Sequence, residues 1–170
     1  MEKSLDAVEL TKTLIGFDTI NPPGNERPCA RHLGRLLEDG GASISYYEFA
    51  ETRTSLVARI GGEIGTKPLC FTGHIDTVPL GAASWSVDPF AGEISDGKLF
   101  GRGSSDMKGG VAAFVVAVLQ LANELKDGTG VVLVITAGEE TGCEGAYHLA
   151  GLGEALGEAG ALVVAEPSSN

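Results

Sequence analysis

A glycine-rich turn, Gly101–Gly110, runs directly into the most apolar segment of the sequence, Val111–Leu119. The turn reads GRGSSDMKGG and carries one acidic residue, Asp106, and the pattern that follows it predicts a buried helix over about Met107–Leu125. An almost fully apolar run, Val131–Thr136, comes next, as expected of a parallel strand covered on both faces. This order is typical of α/β proteins, whose ligands bind beyond the carboxyl ends of the strands.

The rest of the hydrophobic pattern agrees with an α/β fold. A helix is predicted over about Arg27–Asp39, ending at Gly40-Gly41, and Asp96-Gly97 has the signature of a hairpin turn. We expect a mostly parallel sheet flanked by helices, with the last of its strands buried. The other strand-like runs are Ile44–Phe49, Ser55–Ile60, Leu69–Gly73 and Ala161–Ala165.

Composition and charge exclude several classes of partner. The chain has 170 residues and a formal net charge of −11 at pH 7, which argues against nucleic acid and anionic membranes as ligands. The apolar run at 111–119 is about half of what a bilayer span requires, and the N-terminus MEKSLDAVEL has no signal-peptide pattern. The three cysteines have no paired spacing, which favours reduced thiols. We therefore expect a cytoplasmic protein.

The candidate functional residues follow the predicted strands or begin the predicted helix. Because the carboxyl ends of parallel strands meet at one edge of a sheet, we expect their side chains to converge. So many carboxylates beside one imidazole, without a thiolate ligand, indicate a divalent cation: Zn²⁺, with Co²⁺ or Mn²⁺ as replacements. The set exceeds the needs of one tetrahedral ion, so a carboxylate shared by two ions is expected. The residues are His74, Asp76, Asp106, Glu139, Glu140 and Glu166.

The strand-end residues also have structural interpretations. His74 and Asp76 are two apart, so in an extended chain they point to the same side, either as a satisfied polar pair or as a metal ligand with its supporting carboxylate. Glu139 and Glu140 fit an acidic pair at a helix N-terminus equally well. Glu166 alone fits an ordinary loop charge. These alternatives stay open for each residue taken by itself.

The glycine-rich turn has alternatives of its own. Asp106 fits a helix N-cap or an Asx-turn. A phosphate-binding loop is disfavoured because Asp106 occupies the third glycine position of GxGxxG, where its charge would repel phosphate, and no GK[ST] follows. The two remaining histidines, His32 and His148, are interpreted as surface or packing residues of helices.

Four ordered segments carry a family resemblance that spans nearly the whole chain. They read GHIDTVP (73–79), GRGSSDMKGG (101–110), TAGEETG (136–142) and AEPSSN (165–170). In this order they resemble the di-zinc amidohydrolase and exopeptidase family of acetylornithine deacetylase, succinyl-diaminopimelate desuccinylase, aminoacylase and glutamate carboxypeptidase. The stretch WSVDPFAGEISDGKLFGRG is also similar to that family's approach to its bridging aspartate.

The resemblance implies a zinc-peptidase-like catalytic domain with two zinc ions per full-length chain. His74 and Glu166 would bind one ion, Glu140 the other, and Asp106 would bridge both. The resemblance also implies a cis peptide between Asp106 and Met107, which is frequent in the family.

The same resemblance implies an enzyme of amino-acid biosynthesis that hydrolyses the amide bond of a small N-acyl amino acid. A water that bridges the metals would attack, Glu139 would act as general base, and Asp76 would support His74. A di-zinc aminopeptidase or dipeptidase is the near alternative. A non-catalytic metal-binding module is the alternative from another class.

Finally, the resemblance implies parts that these 170 residues do not include. Family members continue through a lid or dimerisation domain and then return to complete the catalytic domain, supplying a histidine to the second zinc. We therefore expect residues 1–170 to be the N-terminal part of the catalytic domain of a homodimer. Alone, this piece is expected to bind metal incompletely, to catalyse little and to expose apolar sheet surface.

Overall fold

The fold is taken from a computed structural model and is described for residues 5–62, 66–125 and 128–168. Its helices and strands follow the predicted order closely. In chain order they are α1 (Ala7–Ile15), α2 (Arg27–Asp39), β1 (Ser43–Ala50), β2 (Arg53–Ile60), β3 (Leu69–His74), β4 (Glu93–Ser95), β5 (Lys98–Phe100), α3 (Lys108–Gln120), α4 (Ala122–Leu125), β6 (Val131–Thr136), α5 (Glu144–Gly151) and β7 (Ala161–Val164).

Five strands form one sheet in the order β1-β2-β6-β3-β7. The predicted α/β sheet flanked by helices is confirmed. It is mixed: β6, β3 and β7 pair in parallel, whereas β1 and β2 are antiparallel to their neighbours. In the β3–β6 register His74 lies beside Thr136, so the loops that leave the two strands start at the same edge of the sheet.

Helices cover both faces of the sheet and bury its centre. On one face α1, α2 and α3 contribute buried residues such as Leu14, Leu33 and Val115 to the larger core. On the other face Leu149 of α5 packs in a smaller cluster with Val132 of β6. All six residues of β6 are buried, as the apolar run predicted.

The prediction of a buried strand at 161–165 is wrong. Strand β7 lies at the edge of the sheet, and Leu162 and Val164 are 61% and 53% exposed. An apolar run predicts a strand, but its burial depends on which elements cover it. The described part of the chain places no helix over β7 that buries these side chains. Apolar sheet surface is therefore exposed at this edge.

Two local predictions are confirmed by the backbone. Asp96 and Gly97 connect β4 and β5 with φ angles of 49° and 72°, the positive values that a two-residue hairpin turn of this type requires. Helix α2 has the predicted bounds. The predicted helix 107–125 is divided at Leu121 into α3 and α4.

In the described ranges, none of the helices is long and apolar enough to cross a membrane.

The two glycines of α5 provide a matched test of its packing. A Cβ at Gly145 would lie 2.2 Å from the carbonyl oxygen of Ala137, whereas a Cβ at Gly151 would meet nothing within 4 Å. We expect Gly145→Ala to lower the free energy of unfolding by about 1–3 kcal/mol, because the helix must move off the sheet. Gly151→Ala should be neutral or slightly stabilising, since alanine favours helix. Equal effects of the two substitutions in urea denaturation would contradict this packing.

Candidate metal centre

His74, at the end of β3, is the centre of a cluster of carboxylates. Its side chain is 1% exposed, and its Nε2 lies 3.1 Å from Oδ1 of Asp106. The same nitrogen is 3.7 Å from Oε2 of Glu139 and 3.6 Å from Oε1 of Glu166. The structure thus brings together residues from β3, from the glycine-rich turn and from the loops after β6 and β7.

Among the residues that the structure describes, two groups of side chains have ligand atoms within 4.8 Å of one another. One is His74, Asp106 and Glu140, and the other is His74, Glu139 and Glu166. Every ligand suggested by the family resemblance therefore lies in the cluster. The grouping differs from the suggested one, because Glu139 lies among the ligand atoms. Its assignment as base rather than ligand stays a prediction, as do the individual ligand roles.

The glycine-rich turn is held against β3 by Met107. The side chain of Met107 is fully buried, and its sulfur accepts the backbone N–H of His74 at 3.1 Å. The peptide between Asp106 and Met107 is cis, as the resemblance implied. Because Met107 is anchored beneath His74, the preceding residue, Asp106, is placed beside the imidazole.

The hydrogen bonds of His74 determine which ring nitrogen faces the carboxylates. Its Nδ1 is 2.9 Å from the backbone carbonyl oxygen of Asp76 and 3.4 Å from the Oδ1 of the same residue. A carbonyl oxygen only accepts, so Nδ1 carries the hydrogen. In the neutral ring, the lone pair of Nε2 then faces the cluster, which is the arrangement of a metal-binding histidine. The closest support comes from the Asp76 carbonyl rather than from its carboxylate.

The Asp76 carboxylate has a second role, which the sequence did not reveal. It is fully buried, and its oxygens accept the backbone N–H groups of Glu139 at 3.0 Å and Glu140 at 3.1 Å. It also accepts a hydrogen bond of 2.9 Å from the amide of Asn21. Burial alone would raise the pKa of Asp76, but the hydrogen bonds from His74, Asn21 and Glu139 hold it below its usual value. An ionised Asp76 therefore fixes the acidic turn after β6.

The cluster carries more negative charge than its surroundings neutralise. Burial raises the pKa of Glu140, with a further contribution from the charge of Asp106. Burial also raises the pKa of Glu166, although the charge of His74 opposes the shift. One oxygen of Glu140 is buried without a hydrogen-bond partner. Raised pKa values and an unpartnered carboxylate oxygen fit a site for cations.

The two basic residues nearest to Asp106 in the sequence do not neutralise the negative charge of the cluster. Lys108 is buried and donates to the carbonyl oxygen of Phe17 at 2.9 Å. Arg102 donates to the carbonyl oxygen of Pro79 and stacks on Trp85. Over the described residues, no lysine or arginine forms an ion pair with the cluster. A divalent metal ion, bound by the imidazole and carboxylates, fits this donor set.

The two other histidines lie outside the cluster. His32 packs its ring against Phe17 with centroids 5.6 Å apart, and His148 packs against Phe49 at 6.3 Å. Both are partly buried. Their interpretation as surface or packing residues agrees with these contacts.

Without metal, the cluster should make stability depend on pH. Burial would lower the pKa of His74, but the hydrogen bond to Asp76 and the charges of Asp76 and Glu166 raise it from 6.5 to about 9. A group whose pKa is higher in the folded state stabilises the protein fully at pH values below its pKa in the unfolded state. This stabilisation is lost as the pH rises through its pKa in the folded state. The melting temperature of chelator-treated protein should therefore fall by several degrees between pH 6.5 and 9. The His74→Gln variant should show a shallower decline, and a flat profile in the unsubstituted protein would contradict the assignment.

Comparison with known proteins is consistent with this geometry. The model of "Peptidase family M20/M25/M40" matches residues 70–170. A succinyl-diaminopimelate desuccinylase of Wolbachia sp. subsp. Brugia malayi (strain TRS) is 39% identical over 140 residues, which cover 81% of this chain and 34% of the relative. The chain thus spans about a third of the length of that relative.

Solved structures share the fold at low identity. The M20 family metallo-carboxypeptidase Sso-CP2 of Sulfolobus solfataricus has a TM-score of 0.77 and 23% identity, covering 96% of this chain and 38% of that one. A Bacillus subtilis protein described as a dinuclear metal-binding peptidase of the M20 family has a TM-score of 0.63 and 20% identity, covering 93% and 41%. The family model matches more than half of the sequence and includes every member of the candidate metal cluster. The chain belongs to peptidase family M20/M25/M40.

Proposed function

We propose that this chain supplies the metal centre of an amidohydrolase that cleaves a small N-acyl amino acid, in the manner of succinyl-diaminopimelate desuccinylase. The observation that carries the proposal is the buried imidazole of His74, whose Nε2 faces Asp106, Glu139 and Glu166 within 3.7 Å. The identity to a desuccinylase supports the substrate class.

His74, Asp106, Glu140 and Glu166 would hold the metal, which we propose to be zinc, with Co²⁺ or Mn²⁺ as functional replacements. Two ions are proposed for the full-length chain, because the donors form two overlapping groups and a structural neighbour is described as dinuclear. Bound there, divalent ions would supply a water of lowered pKa and polarise the scissile carbonyl. The second ion would need a further ligand from outside residues 1–170.

Residues of this chain would carry out the proton transfer and the positioning that the reaction needs. Glu139, whose side chain is 37% exposed, would take the proton of the attacking water and return it to the leaving amine. Asp76 would keep the Glu139-Glu140 turn and the His74 ring in place. The products would be a carboxylate and a free amine.

The wider organisation is also a proposal. We propose that residues 1–170 are the N-terminal part of a catalytic domain, in a full-length cytoplasmic homodimer. The chain covers 34% of the desuccinylase relative, which supports the proposal that residues 1–170 are one part of a longer chain. Dimerisation and substrate recognition would then depend largely on residues beyond this part.

Activity of the purified full-length protein on three amide classes tests the proposal. N-succinyl-diaminopimelate, N-acetylornithine and an unmodified dipeptide are offered with zinc, with a chelator, and with zinc restored. We expect amine release from an N-acyl substrate that stops with chelator and returns with zinc. Cleavage of the dipeptide alone would favour the aminopeptidase or dipeptidase alternative. Zinc binding without hydrolysis of any substrate would favour a non-catalytic metal-binding module.

A further inference from the structure

Asn21 lies between the two chain segments that carry most of the candidate metal cluster. Its backbone N–H donates to the carbonyl oxygen of Thr77 at 2.8 Å, and the N–H of Thr77 donates to Thr19 at 3.1 Å. Ile20 and Thr77 form an isolated parallel bridge. The loop after α1 is therefore fastened to the segment that directly follows His74 and Asp76.

The side chain of Asn21 connects this segment to the turn after β6. It is 2% exposed, and its Nδ2 donates to Oδ2 of Asp76 at 2.9 Å and to Oγ1 of Thr141 at 2.8 Å. An ionised carboxylate can accept hydrogen bonds but cannot donate one. The NH₂ end of the Asn21 amide must therefore face the carboxylate of Asp76. Both hydrogens of the amide are then used, one on each segment.

The connection continues from Thr141 into α5. Having accepted from Asn21, the Thr141 hydroxyl donates its own hydrogen to Oε2 of Glu144 at 2.7 Å. Glu144 is the first residue of α5 and lies 3.8 Å from the guanidinium of Arg53. An unbroken path of hydrogen bonds thus runs from Asp76 through Asn21 and Thr141 to the start of a helix.

We propose that Asn21 is a positioning residue of the metal centre. It holds the Asp76 carboxylate in the orientation that binds the N–H groups of Glu139 and Glu140, and it holds Thr141, the next residue of that turn. The proposal rests on the proposed metal centre and extends it to a residue whose amide binds Asp76 and Thr141 rather than a candidate ligand side chain. Nothing in the sequence distinguished Asn21 from an ordinary loop residue before Pro22-Pro23.

The competing explanation is that Asn21 only stabilises the loop after α1. In that case its loss would lower stability without changing the geometry of the cluster. Metal affinity separates the two explanations. Substitution of residues that support metal ligands typically weakens metal binding by about 10- to 100-fold. Stability and affinity therefore have to be measured on the same variants.

The experiment compares Asn21→Asp, Thr141→Val and Thr141→Ser in the purified protein. Asn21→Asp keeps the size of the side chain but replaces both donors with a charge that faces Asp76. Thr141→Val removes the hydroxyl at an exposed turn and should leave folding intact, whereas Thr141→Ser keeps the hydroxyl. The control is Thr11→Val, which removes a buried hydroxyl bonded within α1 to the Ala7 carbonyl.

Zinc dissociation constants are measured by calorimetry, the visible spectrum is recorded with bound Co²⁺, and melting temperatures are measured for every variant. We expect zinc binding to weaken about 10- to 100-fold in Asn21→Asp, with an altered Co²⁺ spectrum, and by a smaller factor in Thr141→Val. Thr141→Ser should restore the unsubstituted values. Thr11→Val should lower the melting temperature and leave affinity and spectrum unchanged.

Unchanged affinity and spectrum in folded Asn21→Asp would overturn the positioning role while leaving the metal centre in place. If Asn21→Asp does not fold, unchanged affinity and spectrum in Thr141→Val would overturn it equally. Absence of zinc binding by the unsubstituted protein is a different result, since it would remove the proposed metal centre and this inference together.

Discussion

Replacing Glu139 with glutamine should lower kcat by about 10²- to 10⁴-fold on the N-acyl substrate, while zinc binding is retained. Glutamine keeps the size of the side chain but cannot take the proton of a water at neutral pH. The backbone N–H of this residue would still donate to Asp76, so the turn should stay in place. Initial rates over a range of substrate concentrations, with the zinc dissociation constant measured on the same sample, give both quantities.

The matched control is Glu124→Gln, the same chemical change at an exposed residue of α4, which follows the end of α3 farthest from the cluster. It should leave kcat and zinc affinity unchanged. A Glu139→Gln variant that loses zinc together with activity would instead identify Glu139 as a ligand. That outcome would agree with its place in the group of His74 and Glu166.

Replacing Asp106 with asparagine should have the largest effect on metal binding. Asp106 supplies the carboxylate oxygen nearest to Nε2 of His74, at 3.1 Å, and is the proposed bridge between the ions. Asparagine removes the charge and one anionic donor, so zinc affinity should fall by more than the roughly 10- to 100-fold typical of a supporting partner. Equilibrium dialysis with zinc measures the affinity and the number of ions retained.

The corresponding control is Asp39→Asn, at the exposed end of α2. It should bind zinc as the unsubstituted protein does. If Asp106→Asn retained both the affinity and the stoichiometry, Asp106 would not be a metal ligand. The metal site would then be assigned to the other group of ligand atoms, which contains His74, Glu139 and Glu166.

The fold could be predicted where a local pattern determines structure. The almost fully apolar run of β6 predicted a strand buried on both faces, and Asp96-Gly97 predicted the hairpin turn. The exposure of β7 and the antiparallel pairing of β1 and β2 could not be predicted in the same way. Both depend on which elements pack beside a strand, and that is decided by contacts distant in sequence.

The candidate site shows the same division. His74 and the glutamates were selected as candidates because residues that follow parallel strands meet at one edge of the sheet. Asp106 was selected because it lies in the glycine-rich turn that begins the buried helix. The proposed role of Asn21 was missed, because its amide can bind Asp76 only when folding brings the loop after α1 against that residue. The support of His74 by the Asp76 backbone carbonyl was missed because any residue at that position has one.

Zinc content tests the central claim most directly, namely that this cluster is a metal centre. It is measured by elemental analysis of the full-length protein and of residues 1–170, after dialysis to remove loosely bound ions. We expect about two zinc ions per full-length chain, because the proposed bridging carboxylate of Asp106 would serve two ions, and one or fewer in residues 1–170. Absence of metal from both, in preparations incubated with zinc, would contradict the account.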